Sequence, residues 1–241
     1  MNNIDSGNNQ RGNAFEGESY VGKSVAIEEA VEVERLRGRG VIAIPEYAVI
    51  GQLPKFKRED ASDLKRVVER IIDLEKRRTN FLIDETKDNS DALVLWDRSA
   101  FSCLAFEIAA KKAGFLDATM MLAEAFQKQI ADRNVIVPSG VILLKASPEV
   151  INFRRKVDLA KGKGDVIDFL KSSTVIATLN ESFDTIGEVI PKHLFLMLTV
   201  DSLNPRQTAT TALEFIAGQP KSIEREPLDI IAYAQKLLNV R

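Results

Sequence analysis

Short, uninterrupted apolar runs alternate along the chain with longer stretches whose apolar residues recur every three or four positions. Val41 to Ile44, Ala92 to Trp96, Val141 to Leu144 and Leu194 to Val200 are runs of the first kind. Continuous rather than alternating apolarity predicts strands buried on both faces. Helical spacing predicts helices over Lys23 to Arg37, Ala61 to Lys87, Phe101 to Ala113, Ala118 to Ala131, Asp165 to Val189 and Asn204 to Ala217. The long, charged second helix carries its stripe at Leu64, Val67, Val68, Ile71, Ile72 and Leu74. Pro148 suits the first turn of a further helix running to about Leu159.

Strands alternating with helices predict an α/β fold, a doubly wound parallel sheet of five strands flanked by helices. The first strand would end at Ala14-Phe15, although Gly12 and Asn13 before it are poor strand residues. Residues 1–12 are rich in Asn, Gly and Ser and read as a disordered tail without the apolar core of a signal peptide. Residues 13–218 form the expected main domain. Residues 219–241 are expected to be a linker and a short amphipathic helix, which either packs back on the body or binds a partner.

The chain has 241 residues, with 33 basic side chains against 35 acidic ones and a net charge of -2. That balance gives no global basic field, so nucleic acid is not an implied partner, though a local basic cluster leaves it open. The single cysteine, Cys103, excludes a disulfide framework, and a cytoplasmic protein is the expectation. Its small apolar neighbours place Cys103 in a core. No apolar run approaches the roughly 18 residues of a membrane helix.

Candidate chemistry begins at Gly17-Glu18-Ser19-Tyr20-Val21-Gly22-Lys23-Ser24, which fits G-x-x-x-x-G-K-[ST]. Glycines let the backbone curl so that several N–H groups point at a β-phosphate. The helix that follows, opening through Val25, offers its positive N-terminus to the same anion. Lys23 would reach the β- and γ-phosphates, and Ser24 would ligate Mg²⁺. The pattern implies a bound nucleoside triphosphate and leaves the reaction open.

Asp97-Arg98-Ser99 stands at the predicted C-terminal end of the third strand, where ligands sit in open α/β sheets. A carboxylate there can hold a Mg²⁺-bound water or take a proton. An arginine there can neutralise phosphate with a two-pronged contact.

Leu95-Trp96-Asp97-Arg98-Ser99-Ala100-Phe101-Ser102-Cys103-Leu104-Ala105-Phe106-Glu107 resembles the thymidylate kinase segment D-R-Y-x-x-S-x-L-A-Y-Q. Phe15-Glu16-Gly17 through Gly22-Lys23-Ser24 resembles that family's F-E-G-x-x-x-x-G-K-S. Val141 to Val150 followed by Arg154 is similar to its fourth strand, its S/D-P-E turn and the arginine before its lid. Deoxynucleoside kinases share this layout with E-R-S, so Asp97-Arg98-Ser99 is a hybrid of the two.

The resemblance implies a P-loop nucleotide kinase with a short lid at about 154–165, using ATP and Mg²⁺ on a nucleotide or nucleoside. It also implies roles. Ser24 and Asp97 would organise the metal. Arg98 would contact the acceptor's phosphate or 5′-oxygen, and Glu107 would lie near the base. Glu46, in Ile44-Pro45-Glu46-Tyr47, occupies the region of the catalytic glutamate of deoxynucleoside kinases. Arg77, about twenty residues before Asp97, stands near an acceptor-phosphate arginine. Arg154 and Arg155 match lid arginines that stabilise the transferring phosphoryl group. A homodimer is a further implication.

Departures from the family are Pro45-Glu46-Tyr47-Ala48 in place of R-E-P-G-G-T, and Ser19 and Tyr20 where it has aspartate and glycine. They put thymidylate as substrate in question. They leave open an unusual acceptor, such as a modified base in DNA or a small alcohol, or a nucleotide-binding regulatory module.

Overall fold

The computed structural model describes residues 11–53, 58–162, 168–219 and 229–240. Five strands form one sheet: β1 (Asn13–Glu16), β2 (Val41–Ile44), β3 (Leu93–Asp97), β4 (Gly140–Lys145) and β5 (Phe195–Thr199). Their order is β2-β3-β1-β4-β5 and every pairing is parallel. From β1 the sheet extends to one side through β3 and then β2, and to the other through β4 and then β5. That makes β1 the switch point, and its C-terminal end is where a ligand is expected.

Ten helices are described: α1 (Lys23–Leu36), α2 (Tyr47–Ile50), α3 (Ala61–Thr86), α4 (Ala100–Lys112), α5 (Thr119–Ala131), α6 (Pro148–Ala160), α7 (Ser173–Asp184), α8 (Ile186–Val189), α9 (Pro205–Ala217) and α10 (Ile230–Leu237). Side chains alternate across β4. Val141 and Leu143 join a core with α3, α4, α5, α7 and α10, while Ile142 and Leu144 join α1 and α9 on the other face. Burial on both faces is the reason the strands are apolar at every position rather than at alternate ones.

Asn13 shows why the unpromising first strand holds. It is buried, and its side-chain oxygen accepts a 2.9 Å hydrogen bond from Gln219 Nε2. The end of the main domain thereby satisfies a polar group that burial would otherwise leave costly.

Two expectations change. The helix foreseen over Asp165 to Val189 is instead a 3-10 turn at Asp168–Lys171, then α7, then α8; residues 163–167 lie outside the described ones. The break falls at Thr185, whose hydroxyl donates to the Ser182 carbonyl, while Ser182 donates to that of Thr178. Such back-bonding bends helices. Immediately beyond, Gly187 lies so close to the Phe195 ring that a Cβ would approach it to 2.7 Å. The single turn α2 was not foreseen, being too short for a periodic signal.

The C-terminal helix packs back on the body. Ile230, Tyr233, Ala234 and Leu237 follow helical spacing and are all buried, against α4, α5 and α8. Tyr233 meets Phe101 edge-on at 4.9 Å between ring centroids, and its hydroxyl donates to Ser182 O at 2.8 Å. Residues 1–10, most of the expected tail, and 220–228 lie outside the described residues.

Candidate active site

Residues 17–24 curl from the end of β1 into the start of α1. Gly17 has φ 128°, and a Cβ there would lie 2.4 Å from the Leu144 carbonyl. Gly22 has φ 100° and caps α1 in the left-handed region. Only glycine tolerates the first position without a collision. Tyr20 is also left-handed, at φ 65°, a conformation that costs a non-glycine residue roughly 1–2 kcal/mol. Strain of that kind collects at functional loops.

Lys23 is buried beneath the loop, and its ammonium donates to the Gly17 and Glu18 carbonyls at 3.2 and 2.8 Å. Burial is the main force lowering its pKa, to about 7; the charge of Arg98 adds to the fall, and Asp97, Glu46 and Glu16 oppose it. A triphosphate bound against Lys23 would favour the charged form and restore the proton. Binding of ATP at pH 8 is therefore expected to take up close to one proton per site, and affinity should fall as pH rises above about 7. Calorimetry in buffers of different ionisation enthalpy measures this directly. A heat of binding independent of the buffer would contradict it.

Ser24 Oγ donates to Asp97 Oδ2 at 2.5 Å, while Asp97 Oδ1 is buried with no hydrogen-bond partner among the described residues. A hydroxyl and a carboxylate with an unsatisfied buried oxygen fit a hard divalent cation. Mg²⁺ suits the place, since it keeps several waters and shares its sphere with substrate phosphates rather than needing an all-protein cage. No group of three or more His, Cys, Asp or Glu gathers around a point among the described residues.

β3 ends in Asp97, and the next residue, Arg98, is left-handed at φ 66°. That turn aims its guanidinium back at the loop. Nη1 donates to Gly17 O at 3.0 Å, and Nε approaches Glu46 Oε2 at 3.3 Å. Beneath it, the fully buried Glu16 accepts hydrogen bonds from Ser99 and Ser102, and Ser102 Oγ also lies 3.4 Å from Arg98 Nη1. Burial raises the Glu16 pKa; the two serines, then Arg98 and Lys23, hold it down. The glycine-rich loop, the start of α4 and Arg98 are thus tied together through one carboxylate.

The site opens into a cavity of about 1440 Å³, lined by residues 19–25, by Glu46, Asp97, Arg98 and Glu107, and by Arg154 from α6. Arg154 Nη1 donates to Val21 O at 2.6 Å, so α6 already touches the loop. Beyond Glu46 the wall is largely apolar, with Val49, Leu53, Phe106 and Phe115.

Among solved structures, the thymidylate kinase of Candida albicans matches with a TM-score of 0.52 and 17% identity, over 86% of this chain and 91% of that one. The fold is that of thymidylate kinase. No family model and no curated protein sequence matches the chain.

On this thymidylate kinase fold most of the sequence-derived site residues converge, and three are placed differently from expectation. Arg77 does not line the cavity. It is half exposed and pairs with Asp73 at 2.9 Å on the outer side of α3. Its neighbour Arg78 is the buried one. The slack of one residue in the spacing decides the matter, because Glu75, Arg78 and Leu82 continue the buried stripe of α3 and Arg77 lies about 100° away from it. Arg155 is half-buried on α6, and only Arg154 lines the cavity. Glu18 contributes its carbonyl to Lys23, while its carboxyl, raised by burial, is hydrogen-bonded by Asn180.

Glu107 does reach the cavity wall, but in the grip of a residue not foreseen. Arg58 straddles it with both terminal nitrogens, Nη2 lying 2.7 Å from Oε1, and the Ala118 amide donates to Oε2 at 2.9 Å. Arg58 precedes α3 in a stretch without pattern, so only the fold reveals it. Cys103 also lines the cavity and is half-buried rather than enclosed in the core.

Proposed function

We propose that the chain is a Mg²⁺- and ATP-dependent phosphotransferase acting on a nucleotide or nucleoside. The observation that carries the reading is the pairing of Ser24 with Asp97, leaving one buried carboxylate oxygen unpartnered at the mouth of the phosphate loop. A loop that only bound a nucleotide would have no need of an acceptor arginine, Arg98, held in a left-handed turn beside that carboxylate. The broad substrate specificity described for the Candida albicans enzyme supports a wide acceptor range on this frame.

In this reading the loop amides and Lys23 bind the β- and γ-phosphates. Ser24 and Asp97 would hold Mg²⁺, which would neutralise phosphate charge when bound. Arg98 positions the acceptor. Arg154, released from the Val21 carbonyl, would meet the transferring phosphoryl group, and Arg155 beside it is the second lid cation. The cavity suits a small-molecule acceptor, and no described helix is long and apolar enough to cross a membrane.

The test is acceptor-dependent release of ADP from Mg-ATP by the full chain. Release above the acceptor-free rate with at least one nucleoside or nucleotide is the expected outcome. Tight ATP binding with no acceptor-dependent release across the panel would refute transferase activity on this acceptor class and favour a regulatory nucleotide-binding module.

A further inference from the structure

We propose that the C-terminal helix α10 serves the site as well as the scaffold: through Tyr233 it fixes the first turn of α4, the turn that aims Arg98, which makes Tyr233 a positioning residue for the acceptor. The role of Arg98 rests on the phosphotransferase reading above; the placement of the turn does not.

The first turn of α4 is held from two directions. From the sheet, the fully buried Glu16 of β1 accepts from both Ser99 and Ser102. Ser99 also caps the helix, its hydroxyl accepting from the Phe101 amide at 3.3 Å. Arg98 stands immediately before this turn, its left-handed backbone donating to Phe15 O at 3.1 Å and its Nη1 lying 3.4 Å from Ser102 Oγ. A shift of the turn therefore reaches the guanidinium. From the helical layer, the turn is held through Phe101, which lies between the two serines in sequence and joins the core there. It meets Tyr233 edge-on, with ring centroids 4.9 Å apart and planes at 77°.

Tyr233 is fully buried, and its hydroxyl donates to the Ser182 carbonyl of α7 at 2.8 Å. That carbonyl also accepts from Thr185, at the break between α7 and α8. One side chain thus joins α4 to α7, two helices that pack on each other. The helix that carries it is anchored in turn. Asp229 caps α10 by accepting from the Ala232 amide at 2.7 Å, and Lys236 pairs with Glu188 of α8 at 2.6 Å.

The need for such a brace lies in what the turn holds. The first turn of a helix has amides without intrahelical partners and opens readily. Here it must keep two hydroxyls on Glu16, whose charge burial disfavours and which those hydroxyls, Arg98 and Lys23 sustain. A packed aromatic edge on Phe101 removes freedom the turn would otherwise have.

The experiment uses the full chain and three variants. Tyr233→Leu removes the ring edge and the hydroxyl. Tyr233→Phe keeps the ring and loses only the hydroxyl. Leu82→Ala empties a buried position in a different cluster of the core. Hydrogen exchange read by mass spectrometry follows Ser99 to Leu104 and, for comparison, α1; it needs no turnover. Well below the unfolding midpoint, Tyr233→Leu is expected to speed exchange in the α4 peptide by about tenfold or more and to leave α1 unchanged. In the ADP-release assay, its kcat/KM for the acceptor should fall about 10- to 100-fold, the scale of a small misplacement of an orienting group, while the Kd for Mg-ATP by calorimetry moves less than about twofold. Tyr233→Phe should hold kcat/KM within about threefold of the parent, since the ring contact survives. Leu82→Ala should lower the midpoint and leave the exchange of α4 and kcat/KM at parental values. Parental exchange in α4, or parental kcat/KM, in Tyr233→Leu would overturn the inference and leave α10 as scaffold. So would a loss of ATP affinity in step with kcat/KM, or an equal loss in Leu82→Ala. If Tyr233→Leu does not fold, Phe101→Leu breaks the same ring contact from α4 and is judged by the same outcomes. No acceptor-dependent release from the parent would refute the phosphotransferase reading alone, and the exchange contrast would still decide the placement of the turn.

Discussion

Lys23→Ala is expected to lower ADP release by about 10²–10³-fold, the usual effect of losing one preorganised donor at a developing negative charge, with no loss of thermal stability. The first half follows from position. Lys23 lies under the loop proposed to cradle the phosphates, with the carbonyls of Gly17 and Glu18 accepting from its ammonium and the charge of Asp97 acting on it. The second half follows from the cost of its burial. A cation held at a pKa of about 7 is disfavoured by its surroundings, and its two hydrogen bonds to carbonyls offset that only in part. Its side chain borders the open cavity, so removal leaves no closed void for the core to collapse around. The unfolding midpoint of the variant should match or exceed that of the parent, as when a strained functional group is removed. Differential scanning calorimetry beside the ADP assay checks both. Normal turnover would show that Lys23 takes no part in the reaction, and a collapse of stability that explains the lost turnover would show that it is structural.

The layers of the fold were legible because burial on two sides leaves a plain mark. Val141-Ile-Leu-Leu carries no polar residue since its odd positions meet one helical layer and its even positions the other. The phosphate loop was legible because its backbone needs glycine at Gly17 and Gly22, and that need is written in the residues themselves. The acceptor side was harder. Arg58 and Glu107 lie 49 positions apart and meet only because α3 and α4 pack across the same face. Nothing local marks either as the other's partner. Between Arg77 and Arg78 the spacing to Asp97 cannot choose, while the phase of the helix can: Ile71, Glu75, Arg78 and Leu82 share one buried line. A charged residue on an apolar stripe is a signal in its own right, since an arginine is rarely carried into a core without partners waiting for it.

Arg78→Met is accordingly expected to destabilise the protein by about 3–5 kcal/mol, the range for breaking a buried ion pair from one side. Methionine replaces much of the stem but leaves Glu75 buried and uncompensated. It also strips the carbonyls of Pro45, Asp97 and Arg98 of a donor that reaches them at 3.0, 3.0 and 2.8 Å. The guanidinium lies 4.2 Å from the Tyr47 ring centroid and 5.1 Å from that of Trp96, so stacking is lost as well. At roughly 2–4 °C per kcal/mol for a chain of this size, the midpoint should fall by about 10 °C. Arg77→Met, which breaks only a half-exposed pair with Asp73, should shift stability by less than about 1 kcal/mol. The contrast tests the assignment. Were Arg78 an acceptor contact, its loss would raise KM for the acceptor and leave the midpoint in place. As the tie between the ends of β2 and β3, it instead holds the left-handed turn that aims Arg98. Arg78→Lys should then fail almost as badly as methionine, because a compact ammonium lacks the planar guanidinium fork that reaches three divergent carbonyls and a carboxylate at once.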